Sequence, residues 1–381
     1  MDNGRFSNAV TYTAEFSKIN SYELEGKRKA LRLAEKILTE NTNAKVTMYD
    51  FDTDAPFIIA GVTVKDPQYK FLMEGHLDVV SPEGMEKPFD SEIKDGIMYG
   101  RGVADMKGGC AAMLSAFIAA VNEGGLKGDL YLMFSTDEEY AGEEIKTALN
   151  RGYLPKVDFA MIAEPTDAQL NTAHKGEAWM QAEFFGKSAH SSTPHLGKNA
   201  IYMAMDFISE LRNIMDTYSE QGHELYGEPT MSVGVIEGGS TPNVVPPYAK
   251  ILIDKRYLPG KSAKEFEAEI ESAVEACQKA DPDFNVKTTL LGEWNSVLTD
   301  RQSPEFLRIK GVIDKSLGCD TPMGVMTGWG EGGYINMYGI PTVYFGPGDF
   351  RYAHRPDEQI PVDQIMEVAG AYYSVIKEVC C

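Results

Sequence analysis

Apolar and polar positions along the chain repeat with two periods, one suited to helices and one to strands. Residues 27–40 (KRKALRLAEKILTE) carry apolar side chains at helical spacing and predict an amphipathic helix. Residues 70–74 (KFLME) predict a buried strand ending at Gly75. Residues 107–123 (KGGCAAMLSAFIAAVNE) predict a helix, stopped by Gly124-Gly125. The apolar runs 129–134 (DLYLMF) and 157–163 (VDFAMIA) predict short strands, and each of the three strands runs into polar or acidic residues. Strand and helix patterns alternate throughout, without an internal repeat or a low-complexity tract, which predicts α/β layers.

The middle of the chain has its own order. Residues 178–185 (AWMQAEFF) alternate like a strand with one wet face, and 197–213 read as a helix. Strands are expected at 230–236 and 249–256, separated by the turn-rich GGSTPNVVPP. A helix over 261–279 and a strand over 284–290 follow. The order β-α-β-β-α-β is the ferredoxin-like split unit, here of about 115 residues. The expected organisation is therefore a larger α/β domain formed by 1–175 and 292–381, with a small domain, 176–291, inserted into it.

Composition narrows the function. A chain of 381 residues exceeds the roughly 250–300 that one core usually serves, in keeping with two domains. Lys+Arg number 36 against 57 Asp+Glu, a net charge of −21, which argues against a nucleic-acid partner. No apolar run approaches the roughly 20 residues of a membrane span, so no membrane partner is expected. The opening MDNGRFSNAV lacks the apolar stretch of a signal peptide. The cysteines, Cys110, Cys277, Cys319, Cys380 and Cys381, are odd in number and scattered. They form no disulfide framework and point to a reducing, cytoplasmic setting.

The chemistry gathers at the strand ends. In Gly75-His76-Leu77-Asp78, side chains two apart share one side of an extended segment. His76 can bind a metal while Asp78 accepts its other ring N–H; alone, the pair also reads as a surface hydrogen bond. In Gly100-Arg101-Gly102-Val103-Ala104-Asp105-Met106-Lys107-Gly108-Gly109, Asp105 sits where a helix N-cap would, but the flanking glycines suit a crowded site. In Ser135-Thr136-Asp137-Glu138-Glu139, adjacent glutamates of an extended segment point opposite ways, so one can hold a metal while the other faces a water. Ala163-Glu164-Pro165-Thr166-Asp167 and the run from Gly346 through His354 to Glu358 complete the set. Open α/β sheets bind ligands at the carboxyl ends of their strands. Two histidines and three carboxylates suit zinc, and five ligands for two ions require one shared carboxylate. Two such ions form a hydrolytic clamp.

These five ordered motifs resemble the zinc-dependent family that includes acetylornithine deacetylase, succinyl-diaminopimelate desuccinylase, aminoacylase and glutamate carboxypeptidase. The resemblance spans nearly the whole chain. It implies a catalytic domain with a mixed central sheet flanked by helices, and an inserted domain that acts as lid and homodimerisation unit. It implies His76, Asp105 and Glu164 on one zinc and Asp105, Glu139 and His354 on the other, with Asp105 bridging. Glu138 matches the general acid/base and Asp78 the residue that orients His76. Gly186-Lys187-Ser188-Ala189-His190-Ser191-Ser192 resembles the segment whose histidine reaches a neighbouring subunit's active site and hydrogen-bonds the substrate carbonyl. Asn243 matches a substrate-contacting asparagine, and Arg256 an arginine that binds the substrate carboxylate by its planar fork. Gly328-Trp329-Gly330-Glu331-Gly332-Gly333 matches a pocket-lining stretch loosely, with no role for Glu331, and His174, His195 and His223 carry no functional reading.

The resemblance implies metal-assisted cleavage of the amide bond of an N-acyl amino acid. Glutamate at position 164 and the run around His354 are most like the acetylornithine deacetylase branch. A glutamate-carboxypeptidase-like or dipeptidase activity on short peptides is the alternative. A non-catalytic metal-dependent binding protein is the remote one, since all seven first-line positions are present. The cofactor implied is two zinc ions, although the ligand set discriminates poorly against cobalt and manganese.

Overall fold

The computed structural model describes residues 4–140, 142 and 144–381. Residues 1–3, at the head of the segment read for a signal peptide, lie outside the described residues. The chain divides into two compact units. One comprises residues up to Thr172 together with Leu298–Met326 and Gly330–Cys381; the other is Ala173–Val297 with Thr327–Trp329. The inner unit thus starts at 173 and runs to 297, where 176 and 291 are expected from the sequence.

The outer unit is built on a mixed nine-stranded sheet. Its centre is parallel: Asp129–Ser135, Lys70–His76, Phe159–Ile162 and Thr342–Tyr344 lie side by side in that order. Buried on both faces, these strands read as continuous apolar runs, as parallel strands between helices do. Antiparallel strands flank them, with Phe57–Val62 and Lys45–Tyr49 on one side and Leu170–His174 on the other. Four parallel strands send their carboxyl ends the same way, which places the following loops on one edge.

The strand expected to stop at Gly75 continues to His76, because pairing with the neighbouring strand persists through His76 opposite Ser135. Gly75 serves close approach rather than a turn: a Cβ there would lie 2.6 Å from the Met106 Cε and 2.8 Å from the Cys110 Sγ. A Cβ at Gly109 would lie 2.1 Å from the Ala163 carbonyl oxygen. The glycines therefore let the helix Gly108–Glu123 start against the loop that carries Glu164.

That helix corrects one expectation. Taken with the kinked turn Val103–Lys107 ahead of it, it makes a stretch of 21 residues, Val103–Glu123, apolar enough to cross a membrane by length and composition. Yet 94% of its apolar window is buried inside the protein, between the sheet and the helices Ser7–Ser17 and Val362–Cys380. A helix apolar all round is what a central core position requires.

The inner unit has the element order β-α-β-β-α-β. Its four strands pair antiparallel in the order Thr230–Gly238, Tyr248–Tyr257, Gly176–Phe185, Val286–Trp294. Ala178, Met180, Ala182, Phe184, Ile251 and Ile253 alternate onto one face and bury Phe207, Leu211, Phe266 and Ile270 of two helices. Those helices are Ala200–Met215, capped by the Asn199 side chain, and Ala263–Ala280, opened by a Ser262/Glu265 capping box. All five cysteines are free.

Candidate metal centre

The parallel strands deliver the site. His76 ends its own strand; Glu138 and Glu139 follow Asp129–Ser135; Glu164 follows Phe159–Ile162; His354 lies beyond Thr342–Tyr344. Asp105 comes from the turn ahead of Gly108–Glu123, and no side chain caps that helix, so the capping reading of Asp105 does not apply.

Two groups of donors form. His76, Asp105 and Glu164 bring ligand atoms within 4.8 Å of one another, and so do Asp105, Glu139 and His354. Asp105 belongs to both. Its Oδ1 lies 3.3 Å from His76 Nε2, and its Oδ2 lies 3.3 Å from His354 Nε2. Glu164 Oε1 is 3.8 Å from His76 Nε2, and Glu139 Oε2 is 3.0 Å from His354 Nε2. Glu138 Oε2 stands 3.7 Å from His76 Nε2. The two glutamates do address different histidines, but from a turn rather than the extended backbone expected. The His76 side chain is 1% exposed and that of His354 51%, so one group is enclosed and the other opens outward.

Asp78 stands behind His76. His76 Nδ1 lies 3.2 Å from the Asp78 carbonyl oxygen and 3.4 Å from its Oδ1, while Asp78 Oδ2 accepts the Glu139 N–H at 3.2 Å. Holding Nδ1 leaves Nε2 as the free donor. That Nε2 is buried and faces carboxylate oxygens of Asp105, Glu138 and Glu164 at 3.3–3.8 Å, and Glu139 Oε1 is buried without a hydrogen-bond partner. Donor atoms converging from imidazole and carboxylates fit a divalent ion of the zinc type.

The titration of the cluster says the same. Burial, then the nearby Asp105 charge, pushes Glu164 well above the usual carboxylate range and Glu139 upward. Burial also raises Glu138 strongly, partly offset by His76 and reinforced by Glu164. Burial opposes the charge on Asp105 too, yet hydrogen bonds from His354 and His76 hold it below its ordinary value. Hydrogen bonds to Asp105 and Glu139 lift His354 to about 10. Burial opposes the His76 imidazolium, but bonds to Asp105 and Asp78 raise its pKa. Among the described residues no lysine or arginine pairs with these five ligands, so positive charge is what the cluster lacks.

The remaining predicted residues lie in the inner unit. His190 and Asn243 occupy adjoining exposed loops: His190 bridges Val244, and the Ser191 N–H donates to the Asn243 carbonyl at 3.1 Å. Arg256 lies at the other end of Tyr248–Tyr257, about 26 Å from Tyr248 along the strand at the usual rise per residue. One copy of the inner unit therefore does not bring Arg256 together with His190 and Asn243. Arg256 is also engaged already, donating through Nη2 to Glu177 Oε1 at 2.6 Å and through Nε to Asp254 Oδ1 at 3.1 Å.

Nothing in the sequence marks Arg101 or Glu358, which the fold joins behind Asp105. Glu74 and Glu331, both buried, meet at Ser135, whose Oγ donates to Glu331 Oε2 at 2.5 Å. Burial raises Glu74 to about 7. Glu74 was findable, since it lies two residues before His76 on one strand and so on the same face.

Comparison with known proteins adds a family and a fold. The model of peptidase family M20/M25/M40 matches residues 72–378. An acetylornithine deacetylase from Pectobacterium carotovorum is 30% identical over 315 residues, covering 81% of this chain and 80% of the relative. A probable succinyl-diaminopimelate desuccinylase from Staphylococcus epidermidis is 28% identical over 336 residues, 80% of this chain and 82% of the relative. The crystal structure of a tripeptidase from Staphylococcus aureus superposes with a TM-score of 0.80 at 20% identity, covering 98% of both chains. That likeness is one of fold.

Proposed function

Because the chain belongs to peptidase family M20/M25/M40, we propose that it is a di-zinc hydrolase cleaving the amide bond of N-acyl amino acids. The observation that carries this reading is the pair of donor groups sharing Asp105, with Glu138 beside them. His76, Asp105 and Glu164 would hold one ion, and Asp105, Glu139 and His354 the other. Two such ions supply Lewis acidity to the scissile carbonyl and lower the pKa of an attacking water towards neutrality.

The chain's own residues do the rest. Asp78 fixes the ring of His76 so that Nε2 faces the metal. Glu138, raised by burial, takes a proton at Oε2 from the attacking water and returns it to the leaving amine. His190 donates to the developing oxyanion, and Asn243 touches substrate beside it. Arg256 receives the substrate carboxylate through donors its two acids leave free. The separation of His190 from Arg256 along the inner sheet supports a homodimer in which His190 serves the neighbouring subunit. The inner unit is then the lid and dimerisation domain, and the enzyme is cytoplasmic.

The acyl-amino-acid reading follows the two curated relatives, which are named for deacetylation and desuccinylation. A substrate panel with zinc present tests it. Acetyl- and succinyl-capped amino acids should turn over, and dominant cleavage of peptides with free amines would overturn the preferred branch.

A further inference from the structure

Glu358 and Arg101 are enclosed behind the metal centre, 0% and 2% exposed. Arg101 Nη1 donates to Glu358 Oε2 at 2.6 Å, and its Nη2 to the Ser81 carbonyl at 3.2 Å. The other carboxylate oxygen, Glu358 Oε1, accepts two main-chain N–H groups, from Ala104 at 3.0 Å and from Asp105 at 3.2 Å. The main chain of Glu358 is itself tied down. Its carbonyl accepts the Gly100 N–H, and the next residues, Gln359–Pro361, pair antiparallel with Ile97–Tyr99.

A buried ion pair is weak evidence of stabilisation, because desolvation of both charges offsets their attraction and an apolar pair often does as well. The pair therefore calls for another account. Asp105 supplies it. Its two carboxylate oxygens each stand 3.3 Å from a different histidine, so a small rotation of its main chain would favour one group of donors over the other. Glu358 follows His354 by four residues and thus ties the loop of one ligand to the backbone of another.

We propose that Glu358, held by Arg101, is a positioning residue that fixes the main chain of Asp105 so that one carboxylate serves two metal ions. The proposal rests on the metal-centre reading above, and its test reads metal binding separately from hydrolysis.

Zinc is titrated against a competing chelator into metal-stripped wild type, Glu358→Gln, Arg101→Met and the double variant, with melting recorded alongside. In Glu358→Gln one oxygen must serve both the two N–H groups and Arg101, so an amide N–H faces another donor. In Arg101→Met the buried carboxylate is left without its counter-charge. Each should weaken zinc binding about 10–100-fold, the usual cost of losing an outer partner of a metal ligand. Activity should fall through kcat with KM unchanged.

In the double variant the amide oxygen can accept both N–H groups with no charge uncompensated. It should recover most of the loss, a coupling that independent packing defects do not show. Folded Glu358→Gln with wild-type zinc affinity overturns the proposal, and so does a double variant no better than its weaker parent. Where a single variant fails to fold, Arg101→Lys takes its place: severalfold weaker zinc binding supports the proposal and wild-type affinity overturns it. A wild type that binds zinc but hydrolyses no amide overturns the hydrolytic reading and leaves this test in force.

Discussion

Two regions of this molecule collect carboxylates, and they handle them in opposite ways. In the inner unit Glu177 and Asp254 share Arg256, and the Trp179 indole N–H donates to Glu177 at 2.7 Å and to Asp254 at 2.9 Å. Donors and acceptors there are matched within the chain. In the outer unit, among the described residues, Asp105, Glu139 and Glu164 meet two histidines and no lysine or arginine, and Glu139 Oε1 is left over. Acid count does not distinguish the two regions; the balance of donors does. A cluster the protein has not neutralised itself is one built for a cation from outside.

The sharpest way to break that contrast is at Glu138, the carboxyl of the outer cluster that belongs to neither donor group. Glu138→Gln should keep its metal and lose about 10²–10⁴ in kcat, the usual weight of a general acid/base. Metal analysis of the purified variant and its turnover of an acetylated amino acid check this. Near-wild-type turnover removes Glu138 from the mechanism. Asp105→Asn comes next. It takes the charge from the one carboxylate common to both groups, so bound zinc should fall from two ions per chain to at most one. The weakening should exceed the roughly 10–100-fold of an outer partner. Two tightly bound ions in Asp105→Asn would show that Asp105 is not the shared ligand.

Much of the outer cluster was legible because its chemistry is local. His76 and Asp78 are two apart on an extended segment, and the acids at 138, 139 and 164 follow short apolar runs that read as strands. What converges them is the parallel order of those strands, which follows once α/β layering is assumed. Gly75 reads as a stop because a glycine at a strand end and a glycine under a methionine side chain look alike in sequence. The Arg101–Glu358 pair was illegible for a different reason. Its members are 257 residues apart, and an acid within Arg-Pro-Asp-Glu reads as solvated surface until the fold buries it. The engagement of Arg256 with Glu177 is hidden likewise, since Glu177 reaches it across paired strands, opposite it in register.

Arg256 tests the other half of the contrast. Arg256→Gln removes the cation that two acids share and the donor assigned to the substrate carboxylate. If that assignment holds, KM for an acyl amino acid should rise about 10–100-fold, the weight of a charge-assisted hydrogen bond, with kcat less affected. A lower melting temperature with KM unchanged would mean that Arg256 serves only Glu177 and Asp254.

The smallest effect is expected at Glu177, whose pKa burial, reinforced by the hydrogen bond with Asp254, raises from 4.5 to about 7. Between those values the folded chain holds a proton that the unfolded chain has released. Stability from this group is therefore greatest below pH 4.5 and declines as pH rises towards about 7. Glu177→Gln keeps an oxygen for Trp179 and Arg256 but cannot titrate. Its melting temperature should lose the downward slope over that window and exceed the wild type's by a few degrees above it, with the two curves converging in acid. Melting curves across the window, with zinc saturating throughout, read this directly. Parallel slopes for the two proteins would mean that Arg256 keeps Glu177 ionised, so that the inner cluster is balanced without borrowing a proton.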